Sequence, residues 1–251
     1  MTDGITMTNP IIESLVSRST TSLYDPAVTL TDDQIRDLVR IATTAPTSFH
    51  LQNWRFIAVR TPEAKAQLRP IAWDQPKITA AAVTFIICGQ LRDHKVVRQR
   101  LAPVVEAGIM PAEMVLDYEN AARRLYFGKP QCQRDEAIRT GAIAATAMMY
   151  AANALGLGLT PMIAFDPEPL AREFGLAEDE VPVMLVAVEV KLPRNWPQKP
   201  RRPVADLMKF VKPRRLVMGF LTGKLPARPA AVRPQSSITA RMRLRMSKVL
   251  A

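Results

Sequence analysis

The stretch from Arg134 to Asp166 constrains the fold of this 251-residue chain more than any other part of the sequence. It carries no charged residue from Thr140 to Leu159 and is rich in Ala, Met and Leu, which favour helices. We predict a helix to about Leu155, ended by Gly156 in the left-handed conformation. An uncharged helix of this length either spans a membrane or is buried on nearly all sides in a globular protein.

Composition favours the buried helix. Arg139 lies at one edge of the stretch and Asn153 lies inside it, and an Ala-rich segment is far less apolar than a Leu-rich membrane span. Small residues at Ala142, Ala145 and Ala152 would let a second helix approach closely, and we expect that contact in the core of a dimer. The substitution Ala145→Glu should then abolish dimerisation.

The net charge of +11 belongs to the C-terminal tail. Asp206 is the last acidic residue, and eleven of the 34 basic residues follow it, which leaves 23 basic and 23 acidic residues in positions 1–206. We therefore predict a domain over residues 1–206 and a basic, Pro-containing extension over residues 207–251. The extension is either solvated and partly disordered or binds an anionic membrane or nucleic acid through Ala240–Leu250.

Cysteine and histidine usage excludes two classes of protein. Cys88 and Cys132 are too few for a disulfide framework. His50 and His94 have no Cys or His at ligand spacing, which argues against a zinc site. The N-terminal residues lack a basic region followed by an apolar core, so we expect a cytoplasmic protein without a secretion signal.

Helices alternate irregularly with short apolar stretches along the chain. Asn9-Pro10 and Thr31 with Gln34 are helix-start signals, and Arg92–Lys129 is typical of a peripheral helix pair or a flap. The predicted strands are Trp54–Val59, Val83–Cys88, Leu159–Phe165 and Val183–Val190. No glycine fingerprint follows a strand, so neither a Rossmann dinucleotide site nor a P-loop is indicated.

One hydroxyl-rich segment fits an anion. Arg18 is followed by Ser19, Thr20, Thr21 and Ser22, and hydroxyls beside a guanidinium can donate to phosphate oxygens. A simple Ser/Thr turn is the alternative interpretation.

Four segments, in order, resemble motifs of the nitroreductase family of flavin enzymes. Arg18–Asp25 resembles the family's R-R-S-x-R-x-[FY]-D, and Ala45–Phe56 resembles its A-P-S-S-x-N-x-Q-P-W-x-F. Gly156–Asp166 is similar to its G-L-G…P…F-D segment, and Lys199–Pro203 is similar to its K-x-R-x-P clamp. The resemblance covers about Pro10 to Pro203. It implies an α+β fold, with a mixed and largely antiparallel sheet flanked by helices, in an intertwined homodimer that binds FMN at the subunit interface.

The resemblance also implies a set of cofactor contacts. These are Arg18, Ser19, Thr20 and Ser22 at the phosphate and ribityl chain, Lys199 and Arg201 as a phosphate clamp, Gln75 and Lys77 at the pyrimidine edge of the flavin, and Pro161, Met162, Ile163 and Ala164 beside the ring near N5. Gly156 to Ala164 would deliver backbone to the flavin, so Ala145→Glu should also abolish flavin binding.

The implied activity is that of an FMN-dependent oxidoreductase. NAD(P)H would give a hydride to flavin N5, and a flat acceptor such as a nitroaromatic or quinone would then be reduced in the same place. The flavin carries the redox chemistry, which agrees with the lack of paired carboxylates or a catalytic dyad in the sequence. His50, in the substrate-side loop, is either a proton donor to the product or an exposed loop histidine. The alternative function is non-enzymatic flavin binding or storage on the same fold.

Overall fold

The computed structural model describes residues 9–25 and 27–211. The chain divides into a compact unit that ends at Arg201 and a second unit that begins at Arg202. The described part of the second unit holds one short helical turn, Val204–Asp206. The predicted boundary at residue 206 stays a prediction, and the segment Ala240–Leu250 lies outside the described residues.

The described elements alternate between helix and strand. The helices are α1 Pro10–Ser17, α2 Asp32–Ala42, α3 Pro62–Ile71, α4 Lys77–Ala80, α5 Val97–Glu106, α6 Met114–Tyr126, α7 Pro130–Ala154 and α8 Pro167–Glu173. The strands are β1 Trp54–Val59, β2 Val83–Gln90, β3 Leu157–Met162 and β4 Glu180–Val190. Short 3-10 turns lie at Ser48–His50 and His94–Val96.

Local capping explains where the first two helices begin. The Asn9 side chain accepts a hydrogen bond of 2.8 Å from the Ile11 amide, just before Pro10 at the first helical position. Thr31 and Gln34 form the predicted capping box, with reciprocal bonds of 3.2 and 2.9 Å. Each pair satisfies backbone amides that have no partner inside the helix.

The strands form one sheet in the order β1-β2-β4-β3, and every pairing among the described strands is antiparallel. On one face, α7 and α2 pack against side chains such as Phe85 and Val186. On the other face, α3, α4 and α8 pack against side chains such as Ile86 and Leu185. The predicted α+β fold, a largely antiparallel sheet flanked by helices, is confirmed, and parallel pairing is absent among the described strands. Helices α5 and α6 form a separate apolar cluster with Leu51.

Helix α7 packs one face against its own subunit, where Ala145 and Ala152 lie, whereas Ala142 lines a groove on its outer side. Ala145 and Ala152 are fully buried against α2 and the sheet of their own chain, so placing them in a dimer core was wrong. An uncharged helix shows no polarity contrast to mark which face is covered, which is why the sequence did not separate the two faces. Gly156 ends the helix region with φ of +77°, as predicted. Among the described helices, none is long and apolar enough to cross a membrane.

An ion pair between the partly exposed Arg55 and the buried Glu180 links strands β1 and β4. Arg55 Nη1 donates to Glu180 Oε2 at 2.5 Å, and the Glu180 carboxylate also accepts from Gln90 Nε2 and the Ala177 amide, each at 3.0 Å. Burial alone would raise the pKa of Glu180, but these hydrogen bonds and the Arg55 charge outweigh it and lower the pKa. Glu180 is therefore held as a carboxylate.

Candidate functional site

A cationic cleft lies where the end of α1 meets the segment after β4. Its volume is about 280 Å³, close to the lower end of the range of roughly 300–1,000 Å³ that is typical of ligand pockets. It is lined by Arg18, Ser19, Thr20, Ser22, Lys77, Trp196, Pro197, Gln198, Lys199 and Arg201. Four of these side chains are cationic and none is acidic, so the cleft is suited to an anion.

The first wall of the cleft is held by Thr21, which is only 2% exposed. Its amide donates to Leu159 O at 2.8 Å, and its Oγ1 accepts from the Leu159 amide at 3.0 Å. This close approach needs glycine at position 158, because a Cβ there would lie 2.7 Å from both Thr21 Oγ1 and Thr21 Cγ2. The hydroxyl-rich segment is thereby fastened to edge strand β3 instead of forming a free turn.

Tyr24 supports the same segment from beneath. Its hydroxyl lies 2.6 Å from Thr160 Oγ1 on β3, and Thr160 Oγ1 in turn donates to Thr21 O. Burial raises the pKa of Tyr24 to about 12, although the hydrogen bond to Thr160 opposes the shift. The phenol therefore stays protonated at neutral pH. Its role is structural, because it holds Thr160 in place by a hydrogen bond.

The second wall is fixed by Asn195. Its Oδ1 accepts from the amides of Ser22 and Leu23 at 2.6 and 2.9 Å. Its Nδ2 donates to Leu23 O and Leu192 O, both at 2.8 Å. One side chain thus joins the segment after α1 to the segment after β4.

Gln198 orients two of the four cations. Its Oε1 accepts from Arg201 Nη2 at 2.7 Å and lies 3.5 Å from Arg18 Nη2. Two guanidinium groups that share one neutral acceptor keep their remaining N–H donors for an anion. The arrangement is suited to an anion that has several acceptor oxygens.

The structure brings together seven of the predicted cofactor contacts and leaves five outside the cleft. The seven are Arg18, Ser19, Thr20, Ser22, Lys77, Lys199 and Arg201. The five, which do not line it, are Gln75, Pro161, Met162, Ile163 and Ala164. Met162 is a core side chain, so it could reach a ligand only through its backbone, whereas Ile163 is 76% exposed. The cofactor roles of all twelve stay predictions.

Backbone strain is concentrated in two loops that the sequence singled out. Among the described residues, left-handed φ angles at non-glycine positions occur only at Phe49, His50, Gln52, Trp73 and Asp74. The first three follow Pro46, and the other two precede Lys77. Such conformations are costly and cluster at functional sites, so both loops are candidates for ligand contact.

His50 lies at the surface in the first of these loops. The Gln52 amide nitrogen is 2.7 Å from His50 Nε2, and which of the two groups donates depends on the imidazole tautomer. The loop is braced by Tyr126, whose hydroxyl donates to Ser48 Oγ at 2.9 Å. His50 does not line the cationic cleft, and its role as a proton donor stays a prediction.

A second, apolar groove runs along the outer side of α7. It is lined by Ala45, Pro46, Arg139, Ala142, Ile143, Thr146, Ala147 and Tyr150. The α7 members recur at intervals of three and four residues, so they form one stripe on the helix. Ile143 on this stripe is 37% exposed. We call these α7 residues the outer stripe.

The profile of the Nitroreductase family matches residues 15–188, which is more than half of the chain. This chain belongs to the nitroreductase family. It is accordingly an oxidoreductase. YdgI of Bacillus subtilis, named as a candidate NAD(P)H nitroreductase, is 31% identical over 185 residues, covering 72% of this chain and 88% of YdgI.

Other relatives carry different names. The enone reductase of CLA biosynthesis from Lactiplantibacillus plantarum is 26% identical over 191 residues, covering 72% of this chain and 85% of its own. A protein from Exiguobacterium sibiricum, solved in complex with FMN, has the same fold with a TM-score of 0.73 at 24% identity. That match covers 84% of this chain and 100% of the other.

Sequence reasoning missed three residues that shape the cleft of this nitroreductase. The sequence did not single out Asn195, Trp196 or Gln198 as residues of the cleft. Asn195 has no local signal, because its partner Ser22 is 173 positions away in the sequence. The one available signal was an aromatic residue beside Pro197 just before the Lys199–Arg201 clamp.

Proposed function

We propose that this nitroreductase binds FMN with its phosphate in the cationic cleft and uses it to pass a hydride from NAD(P)H to a flat acceptor. The observation that carries the proposal is the joining of Arg18 and the hydroxyl segment to Lys199 and Arg201 in one cleft. A phosphate monoester carries up to two negative charges and three acceptor oxygens. Guanidinium, ammonium and hydroxyl donors are the groups that such an anion requires.

The proposed roles follow from position. Arg18, Ser19, Thr20 and Ser22 would donate to the phosphate and ribityl oxygens from one wall, and Lys199 and Arg201 would close on the phosphate from the other. Lys77 and Gln75 would meet the pyrimidine edge, where a positive charge favours the reduced, anionic ring. Pro161 to Ala164 would present backbone beside the ring.

The residues that line the cleft include no carboxylate, thiol or imidazole. The protein therefore supplies binding and electrostatics, and FMN when bound supplies hydride acceptance and donation at N5. Coenzyme and acceptor would occupy the same face of the flavin in turn, which predicts ping-pong kinetics. Nitroaromatics and quinones are the proposed acceptors, and an enone belongs in the same assay because one relative is named an enone reductase.

The same proposal includes a homodimer that packs through the outer stripe of α7. Ile143, Ala147 and their neighbours form a mainly apolar, partly exposed surface with Arg139 at one end, and apolar faces of this kind are suited to a second subunit. Ile143→Glu would place a charge in that contact and should give a monomer on gel filtration. Ile143→Ala keeps the surface apolar and should remain dimeric. A dimeric Ile143→Glu protein would place the interface elsewhere.

The decisive experiment is an absorbance spectrum of the purified full chain, followed by anaerobic addition of NADH or NADPH. We expect a bound flavin whose absorbance is lost on addition of one or both nucleotides. Lys199→Ala combined with Arg201→Ala should lower the FMN content at unchanged stability. A colourless protein that takes up no FMN would refute the proposal. A flavin that binds but is reduced by neither nucleotide would indicate the storage function instead.

A further inference from the structure

Trp196 is an exposed indole on the wall of the cationic cleft. It is 71% exposed, although it stands beside Gln198 and the Lys199–Arg201 clamp. Large aromatic side chains usually bury most of their surface, and an indole left outside a core is typical of a binding surface. The packing of the described residues therefore gives no reason for its position.

The backbone around Trp196 is held on both sides. Asn195 before it makes four hydrogen bonds to the chain around Leu23 and Leu192. Pro197 after it has a fixed φ, and Gln198 is bonded to Arg201. An exposed ring on a fixed backbone loses little conformational freedom when a flat ligand stacks on it.

The chemistry at this position fits a base that is joined to phosphate groups. A purine can stack on the indole, while neighbouring cations bind the attached phosphates. Arg18, Lys199 and Arg201 carry three positive charges, whereas a phosphate monoester carries at most about two negative charges. FMN has no base at its phosphate end, so the flavin alone would leave Trp196 uncovered there.

We propose that Trp196, with the cations beside it, binds the adenosine diphosphate portion of a dinucleotide at the outer end of the flavin-phosphate cleft. This inference rests on the proposed function, because it assigns the inner part of the cleft to FMN. The adenosine diphosphate belongs either to NAD(P)H, the co-substrate, or to FAD in place of FMN. Both ligands share the same base and pyrophosphate, and they are separated by the experiment.

The test measures binding of ADP-ribose, which lacks nicotinamide and flavin, to the FMN-loaded full chain by calorimetry. Stacking of one base on an aromatic side chain is worth roughly 5- to 150-fold in affinity, so Trp196→Ala should raise the Kd for ADP-ribose about tenfold. Trp196→Phe keeps an aromatic face and should retain most of the affinity. The Kd for FMN is measured on the same three proteins, and Trp196→Ala should raise the Kd for ADP-ribose by a larger factor than the Kd for FMN.

Two further measurements identify the source of the moiety. If it belongs to the coenzyme, Trp196→Ala should raise KM for NADH but not for reduced nicotinamide mononucleotide, which has no adenosine. If it belongs to the flavin, the same variant should weaken binding of FAD to the flavin-free protein by a larger factor than it weakens binding of FMN. Either result supports the site and names its ligand.

Other results would overturn the inference. An unchanged Kd for ADP-ribose in Trp196→Ala, with normal FMN binding and reduction, would end it while leaving the proposed function intact. A shift of Trp196→Ala to monomer on gel filtration, with unchanged ADP-ribose binding, would assign the indole to a contact with a second copy. Wild-type protein that binds ADP-ribose but no FMN would contradict the proposed function instead.

Discussion

Asn195 joins the two walls of the cleft, so its removal should weaken flavin binding without removing a cation. Asn195→Ala deletes four hydrogen bonds of 2.6 to 2.9 Å to Ser22, Leu23 and Leu192. Each hydrogen bond is worth about 1 kcal/mol net. Because these partners lie near the surface and can bind water instead, we expect a total loss of roughly 2 kcal/mol, not ~4.

The free energy lost in Asn195→Ala divides between the stability of the protein and its affinity for FMN. If the hydroxyl segment stays in place without ligand, the loss appears as a lower free energy of unfolding. If the segment leaves the cleft, the loss appears as a higher Kd for FMN, up to roughly 30-fold for 2 kcal/mol. Urea unfolding of the flavin-free protein gives the first quantity, and quenching of FMN fluorescence gives the second.

A remote variant controls for general loss of stability. Glu180→Gln weakens the ion pair with Arg55, and neither residue lines the cleft, so it should lower the unfolding free energy and leave the Kd for FMN unchanged. An Asn195→Ala protein in which both quantities stay within about 0.5 kcal/mol of wild type would show that the hydrogen bonds do not hold the cleft.

Three further predictions concern other parts of the molecule. Gly158→Ala should cost about 1–3 kcal/mol and raise the Kd for FMN, because its Cβ would lie 2.7 Å from Thr21 and 2.8 Å from Lys191 Cβ; thermal unfolding and FMN titration check this. The pKa of Glu180 is lowered in the folded state, so its ionised carboxylate adds to the free energy of unfolding. This stabilisation is fully present above the unfolded pKa of about 4.3 and is lost as pH falls through the folded pKa. The stability gap between wild type and Glu180→Gln should therefore close in acid, as urea unfolding at several pH values would show. His50→Ala should slow acceptor reduction but not flavin reduction in stopped-flow absorbance, and unchanged rates would make His50 a surface residue.

Local signals in the sequence predicted the elements well. The Thr31–Gln34 capping box and the strand Trp54–Val59 depend on neighbouring residues and were found as predicted. The strand order could not be predicted in the same way, because β4 pairs with both β2 and β3 across long separations in sequence. No periodicity encodes which apolar strand lies beside which.

The candidate site could be predicted where the chemistry of a residue is evident from its type alone. Arg18 and Lys199 are cations in a recognisable order, and the structure brings them to one cleft. Asn195 gives no such sign, because an asparagine in a loop is common and its function depends on a partner far along the chain. Positioning residues of this kind become visible only when the tertiary hydrogen bonds are known.

The absence of charged residues from α7 after Arg139 has more than one cause. Ala145 and Ala152 are apolar because the sheet and α2 cover them, whereas Ile143 lies on the outer stripe, which the described part of the subunit leaves partly open. A charge at Ala145 should therefore unfold the subunit, whereas a charge on the outer stripe tests the proposed dimer contact in a folded subunit. The end of the helix leads through Gly156 directly into β3, where Gly158 and Leu159 hold Thr21. The helix thus supports the first wall of the cleft through the strand that follows it, so substitutions on its core face should weaken FMN binding even when the outer stripe is unchanged.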